Sequence, residues 1–520
     1  MDNILNSKLK TNNRVSLIYV ITILGIFPLV FHNYYFDILL FKYNFYYIAT
    51  LIYILIIVLN NTVDYFINKK INFLSDGFFA PQVSITIFVL IALISTLQSN
   101  FLYESFWGNE GRYSGCFTLI LYAISVIFII RYLHFKNWIL YLFLFSGVLA
   151  SCFGITDYFK LDILGFKTNI EPTQYNMFMS TIGNINTYTA YIAMVMGVST
   201  ALFMSSEKLY NTIFYYICML ISFAAIVMGL SDNAYLAVGT LFAFLPLWIF
   251  RNRKGIRRYL FSLTTFLYVI TFVAFINKIM PDHVLQMGGI LEFLSNFKKL
   301  GIIIIGVTIL CALAYFYDYS HIGKGDYSNK IRIAWLILLT LIFIGTFFIL
   351  IDCNIYMNKE RYGDLGNYLI LNDEWGTHRG YVWRVGIECY KKLPLIHKVF
   401  GYGPDTFGLL VLHKAAEMKT RYNEYFDSAH NEYLQYFLTI GPLGLLSYII
   451  FLVASGKQMI KRGIDNPYVM AIFFAVICYC AQAVVNISLP IATPLMFVLL
   501  AVGLAASKKT EILRTENKNE

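Results

Sequence analysis

The sequence is short of charge. Asp, Glu, Lys and Arg together supply 13% of its 520 residues, about half the share found in ordinary soluble domains. A water-facing surface cannot be assembled from so few ionic groups. A soluble multidomain enzyme, a disordered chain and a nucleic-acid-binding domain are therefore excluded together. Proline is sparse at 11 residues, and no proline-rich or low-complexity linker divides the chain. The eight cysteines show no zinc-site spacing. Cys116, Cys152, Cys218, Cys311, Cys478 and Cys480 fall in apolar runs, where Cys is a small buried hydrophobe. Only Cys353 and Cys389 lie in a long polar stretch, where a disulfide has room but nothing in its favour. No Asp-x-Asp pair is placed to hold a metal, and the adjacent Asp373 and Glu374 read as solvated loop acids.

What the sequence has in abundance is apolar length. Hydrophobic residues make up 58% of it and the mean hydropathy is +0.63. A helix crosses a bilayer with about 20 apolar residues, and about fourteen runs approach that length. They are 15–32, 43–60, 81–98, 115–131, 137–156, 185–204, 211–230, 233–250, 259–277, 300–317, 333–351, 431–454, 467–486 and 490–506. The expected fold class is all-α, a polytopic transmembrane helix bundle. The basic stretch Met1–Arg14 precedes the first run with no cleavage-site pattern after it, so that run reads as a retained span.

The net charge of +10 then reports orientation. With the N-terminus in the cytoplasm, inside segments collect Lys8, Lys10 and Arg14; Lys69 and Lys70; Arg251, Arg253, Lys254, Arg257 and Arg258; Lys324, Lys330 and Arg332; and Lys457, Lys461 and Arg462. The short outside segments hold far fewer. Both termini are expected inside. The chain divides into spans 1–11 over 1–351, an outer loop over 352–430, spans 12–14 over 431–507 and a cytoplasmic tail over 508–520.

The outer loop concentrates the residues that can do chemistry. It contains EWGTHRGYVWRV (374–385), PLIHKVFGYGPDTFG (394–408) and DSAHNEYLQYFLTIGPLG (427–444). Arg379 to Lys392 shows a helical face of Val382, Val385, Ile387 and Cys389, ended by Pro394. Leu409 to Lys419 reads as a second short helix. Asp427 or Ser428 is placed to cap a helix that opens at Ala429 and continues into the membrane. Arg379 and Arg384 offer permanent positive charge in a fork that suits phosphate. His430, in the first turn of that helix, would be held neutral by the positive helix end and could serve as a general base. Each has a plainer reading. An isolated Arg is usually solvated, a His at a helix start is usually a cap, Trp375 and Trp383 are interfacial anchors, and the Gly401–Gly403 turn is a turn before it is an anion nest.

Order and spacing carry more than any single residue. Arg379 and Trp383, then Pro394 and Leu395, then Gly401, Gly403 and Pro404, then Ala429, His430, Asn431, Leu434, Gly441 and Gly444 resemble the loop of the O-antigen ligase and O-antigen polymerase superfamily of bacterial membrane glycosyltransferases. GNIN (183–186), NEGRYSG (109–115) and NISLPIATPLMF (486–497) resemble outer segments of the same family. Asp232 departs from it, standing where many ligases carry an Arg between two mid-chain spans.

The resemblance implies transfer of a glycan from a polyprenyl diphosphate carrier to a hydroxyl acceptor on the outer face of the bacterial cytoplasmic membrane. Arg379 would stabilise the diphosphate and His430 would activate the acceptor. Arg384, Arg112, Trp383, Asn431 and Gly403 are the further candidates for holding diphosphate or acceptor, with Asn431 and Asp427 placed to orient His430. With Arg neutralising the leaving group, neither metal nor other cofactor is required. The implied partners are the lipid-linked glycan donor, a glycan, lipid or protein acceptor and membrane lipids, without nucleic acid. A polymerase acting on lipid-linked repeat units shares the chemistry and remains the alternative. A lipid-linked glycan transporter calls for charges within the spans, which are few here.

Overall fold

The computed structural model describes residues 2–68, 79–168, 170–319, 327–363 and 365–519. Lys69, Lys70 and Lys324 lie outside the described residues. The described chain is all-α, with one pair of two-residue strands, Phe178–Met179 and Gly183–Asn184. The helices that matter are α1 (Asp2–Ile21), α2 (Ile38–Asn68), α3 (Ala80–Leu97), α4 (Cys116–Tyr132), α5 (Trp138–Tyr158), α6 (Ile185–Ser205), α7 (Leu209–Met228), α8 (Asn233–Ile249), α9 (Arg253–Ile279), α10 (Leu300–Tyr319), α11 (Ser328–Asn354), α12 (Trp375–Lys392), α13 (Glu432–Thr439), α14 (Gly441–Gly463), α15 (Pro467–Gln482) and α16 (Thr493–Asn519). Among the described residues ten helices are long and apolar enough to cross a membrane. The apolar helices α4, α8 and the Thr493–Lys508 part of α16 are somewhat shorter. The apolar runs read from the sequence are largely helical, the first only as far as Ile26, so this is a polytopic helix bundle.

The helices differ in what they face. The apolar window of α6 is wholly buried, and it packs against α7 and α15 at the centre. The window of α11 holds no buried residue, and most of it is exposed apart from Trp335, which packs against Phe250 and Tyr259. So large an apolar surface is stable only against lipid or another chain. All eight cysteines are free, so no bridge joins Cys353 to Cys389.

One run breaks where continuity is expected. The segment 431–454 is two helices, α13 and α14, that turn back on each other. Thr439 lies beside Ser95, whose Oγ donates to its carbonyl at 2.8 Å, while Tyr436 meets Phe88 edge to face, seven residues further back along α3. Phe88 also meets Tyr448. Thus α13 runs alongside α14 in the opposite direction. The cause is Gly441, at φ +83°, followed by Pro442, which has no N–H to continue a helix.

The loop 352–430 has its own core. Tyr381, Val382, Val385, Cys389, Phe407, Val411, Met418 and Leu438 form a cluster separate from that of the bundle. The reading of one helix over 409–419 is corrected here. The segment holds Phe407–Leu410, a 3₁₀ turn at Leu412–Lys414 and Ala415–Tyr422. The loop is fastened to the bundle by the Gly401–Gly403 turn. Tyr402 and Gly403 donate their N–H groups to the carbonyls of Leu438 and Thr439 at 3.1 and 2.8 Å. Gly401, at φ +81°, lies so close that a Cβ there would fall 2.3 Å from the Thr439 carbonyl carbon.

Candidate active site

Arg112, from the segment between α3 and α4, is bonded to the 427–431 segment, and Arg379, at the head of α12, lies near enough for its charge to act on His430 there. Arg112 makes a two-pronged contact with Asp427, Nε to Oδ2 at 3.1 Å and Nη2 to Oδ1 at 2.5 Å. Its segment is shaped by Asp405, which is fully buried and accepts the N–H groups of Asn109 and Ser114 at 2.9 and 3.0 Å. Burial pushes the Asp405 carboxyl up to about 7 against those two bonds. A cavity of about 20 Å³ lies between Arg112, Ser114, Asp405, Ser428 and Tyr436.

Arg379 follows a backbone feature absent from ordinary helices. Gly376, Thr377 and His378 take left-handed conformations in succession, at φ +61°, +55° and +68°. For the two non-glycines this costs about 1–2 kcal/mol each. The turn folds the Arg379 side chain back so that Nη1 donates to Gly376 O and Thr377 Oγ1. Its Nε is buried without a hydrogen-bond partner, and it forms no ion pair among the described residues. Burial lowers its affinity for a proton, and the nearby Asp232 partly restores it. Asp232 itself accepts the Ile290 N–H at 2.8 Å.

His430 lies in the irregular segment that enters α13, at φ +47°. Burial lowers its pKa to about 4; repulsion from Arg112 and Arg379 adds to this and Asp427 opposes it. It is therefore neutral at pH 7. Two expectations are corrected. The helix opens at Glu432 with Asn431 as its N-cap, whose side chain accepts the Leu434 N–H at 2.9 Å, so neither Asp427 nor Ser428 caps it. His430 precedes the cap, and its neutrality comes from burial and from cations ahead of any helix-end field.

The other candidates have prior commitments. Trp383 donates its indole N–H to the Ala429 carbonyl at 2.8 Å, which anchors the segment one residue before His430. Arg384 is bonded to Asp373 at 2.8 and 2.9 Å and to Glu388 at 2.8 Å, and these bonds raise its pKa. It belongs to an outward network with Arg421 and is not free for a diphosphate. The Gly403 N–H is spent on Thr439, so the anion-nest reading of the turn falls away. Asn431 acts through its cap, and Asp427 is turned to Arg112.

Sequence reasoning missed Asp405 and Glu432. Glu432 is 1% exposed and accepts the hydroxyls of Tyr448 and Tyr479 at 2.6 and 3.0 Å. The available signals were an acid directly after the Gly-x-Gly-Pro turn and an acid two residues past His430 in an aromatic run. Among the described residues no group of His, Cys, Asp and Glu is arranged to hold a metal ion.

No curated protein matches the chain. Residues 217–449 match the family model described as O-antigen ligase, an interval that takes in Asp232, Arg379 and His430. The chain is a polytopic membrane protein, and over these residues, a little under half of it, it is similar to the O-antigen ligase family.

Proposed function

We propose that the protein moves a glycan from a polyprenyl diphosphate carrier to a hydroxyl acceptor at the outer face of the bacterial cytoplasmic membrane. The observation that supports this reading best is the contrast between Arg379 and its neighbours. Arg112 and Arg384 already hold carboxylates, whereas Arg379 keeps a buried, unpartnered donor beside a neutral His430. A diphosphate leaving group gathers negative charge as its bond to the sugar breaks, and a fixed guanidinium stabilises that charge without reorganising. The acceptor oxygen attacks as its proton passes to His430, which is unprotonated and so available as a base. Asp427 holds Arg112, and Trp383 holds the backbone that presents His430. No step requires a metal.

The test is deletion of the gene, with the cell's finished glycans resolved by size beside its lipid-linked pool. Long glycan stranded on the carrier and missing from its acceptor is the expected result. An unchanged distribution would sink the proposal. Asp232 favours a second reading, because an acid near Arg379 replaces the family's mid-chain Arg. A polymerase would leave only single repeat units on the carrier in the same experiment.

A further inference from the structure

Glu432 is a buried carboxylate with no cation. It forms no ion pair among the described residues, and the groups that face it are Tyr433 and Tyr436 on its own helix, Tyr122 on α4, Tyr448 on α14 and Tyr479 and Cys480 on α15. A carboxylate in such surroundings is costly as an anion. If its purpose were packing, an apolar side chain of similar volume would serve as well or better. Glu432 instead lines a cavity of about 10 Å³ together with Thr187, Tyr479, Gln482 and Asn486.

The cavity contains an unsatisfied group. Gln482 is fully buried, and its Nε2 donates to Asn186 O at 3.2 Å and to Thr189 Oγ1 at 3.0 Å. Its Oε1 is buried without a partner. Such an oxygen calls for a donor, and the space is close to the ~10–15 Å³ that one water needs. A water there can donate one hydrogen to Gln482 and the other to Glu432. Glu432 is two residues from His430, on the first turn of the helix that His430 leads into.

We infer that Glu432 accepts, through water held in this cavity, the proton that His430 removes from the acceptor hydroxyl. The inference rests on the reading of His430 as base. In the balanced step the acceptor O–H bond breaks and its oxygen bonds to the anomeric carbon. The anomeric C–O bond to the diphosphate breaks, and its electron pair leaves on the diphosphate. The proton passes from the acceptor to His430, then by way of water to the Glu432 carboxylate. His430 is thereby neutral again between two arginines that disfavour its cation. Glu432 is a positioning and proton-accepting residue, since it acts through His430.

The experiment uses the full-length protein in lipid nanodiscs, with the lipid-linked glycan extracted from the deletion strain as donor. Glu432→Gln is expected to lower kcat at least tenfold with KM unchanged and to raise the solvent deuterium isotope effect, and Glu432→Asp to recover part of the loss. A Glu432→Gln protein with parental kcat and pH profile would overturn the inference. Tyr479→Phe decides the matter if Glu432→Gln does not fold. It removes one of the two donors that hold the carboxylate in place, so kcat is expected to fall with KM unchanged, and a parental kcat is contrary evidence. A fully active His430→Ala protein would remove the base itself and this inference with it. An inactive His430→Ala beside an unaffected Glu432→Gln would remove the inference alone.

Discussion

Arg112 and Arg379 carry the same charge in unlike company, and company decides what each can do. A guanidinium gripping Asp427 through two hydrogen bonds stabilises the segment it touches. One with a buried, unpartnered Nε offers that donor to a ligand. Arg379→Ala is expected to abolish transfer while the protein still accumulates in the membrane, and Arg379→Lys to recover little, because an ammonium lacks the planar fork. His430→Ala is expected to cost about 10²–10⁴-fold in rate, the usual range for a lost general base. Assays of purified protein with extracted donor test both. The pH dependence follows from the depressed His430 pKa. In the free enzyme His430 stays unprotonated well below its usual 6.5 and charges only near 4, so the acid limb of kcat/KM is expected closer to 4 than to 6.5. Its linkage to folding has the matching sign. The stability it contributes is fully present above 6.5 and is lost as pH falls through 4. Arg379 and His430 could be singled out in the sequence because their residue types and order suit the proposed chemistry. Asp405 and Glu432 were not, because an acid's burial is a property of what packs around it.

At the scale of elements, the turn Gly401–Gly403 and the break at Gly441 act as one joint. The turn's N–H groups are bonded to the last carbonyls of α13, and a Cβ at Gly401 has no space. Gly401→Ala is therefore expected to loosen the loop from the bundle. Proteolysis within 412–425 should become faster, and transfer should fall even though no reacting group has changed. Asn431→Ala removes the cap of α13 and is expected to cost about 1 kcal/mol of stability, the usual loss for such a cap, read as a lower melting temperature in detergent. Hydrophobic length located α14 well but joined α13 to it, since both segments are apolar and a run of apolar residues carries no direction. The reversal depends on one glycine with positive φ and on Ser95 and Phe88, which lie more than 300 residues away in the chain.

For the whole molecule, the helical bundle and the loop with its separate core make a topology that can be tested directly. We expect residues 352–430 to lie outside the cytoplasmic membrane and both termini inside. A cysteine introduced at the exposed Thr420, in a background without the native cysteines, should react with an impermeant thiol reagent on intact cells. Labelling only after lysis would reverse the orientation. Chelation with EDTA is expected to leave transfer intact, and loss of activity restored by magnesium or manganese would contradict the metal-free chemistry. The sequence by itself determined the fold class and the positions of the apolar helices and singled out the segment proposed to carry the chemistry, because hydrophobic length and residue type are local quantities that a bilayer reads directly. Only the tertiary structure decided that Arg384 is paired, that Arg379 keeps a free donor, that His430 is neutral through burial between cations, and that Glu432 faces a cavity. Each of those depends on which distant segments are brought together, and pairing, burial and charge are set by that proximity.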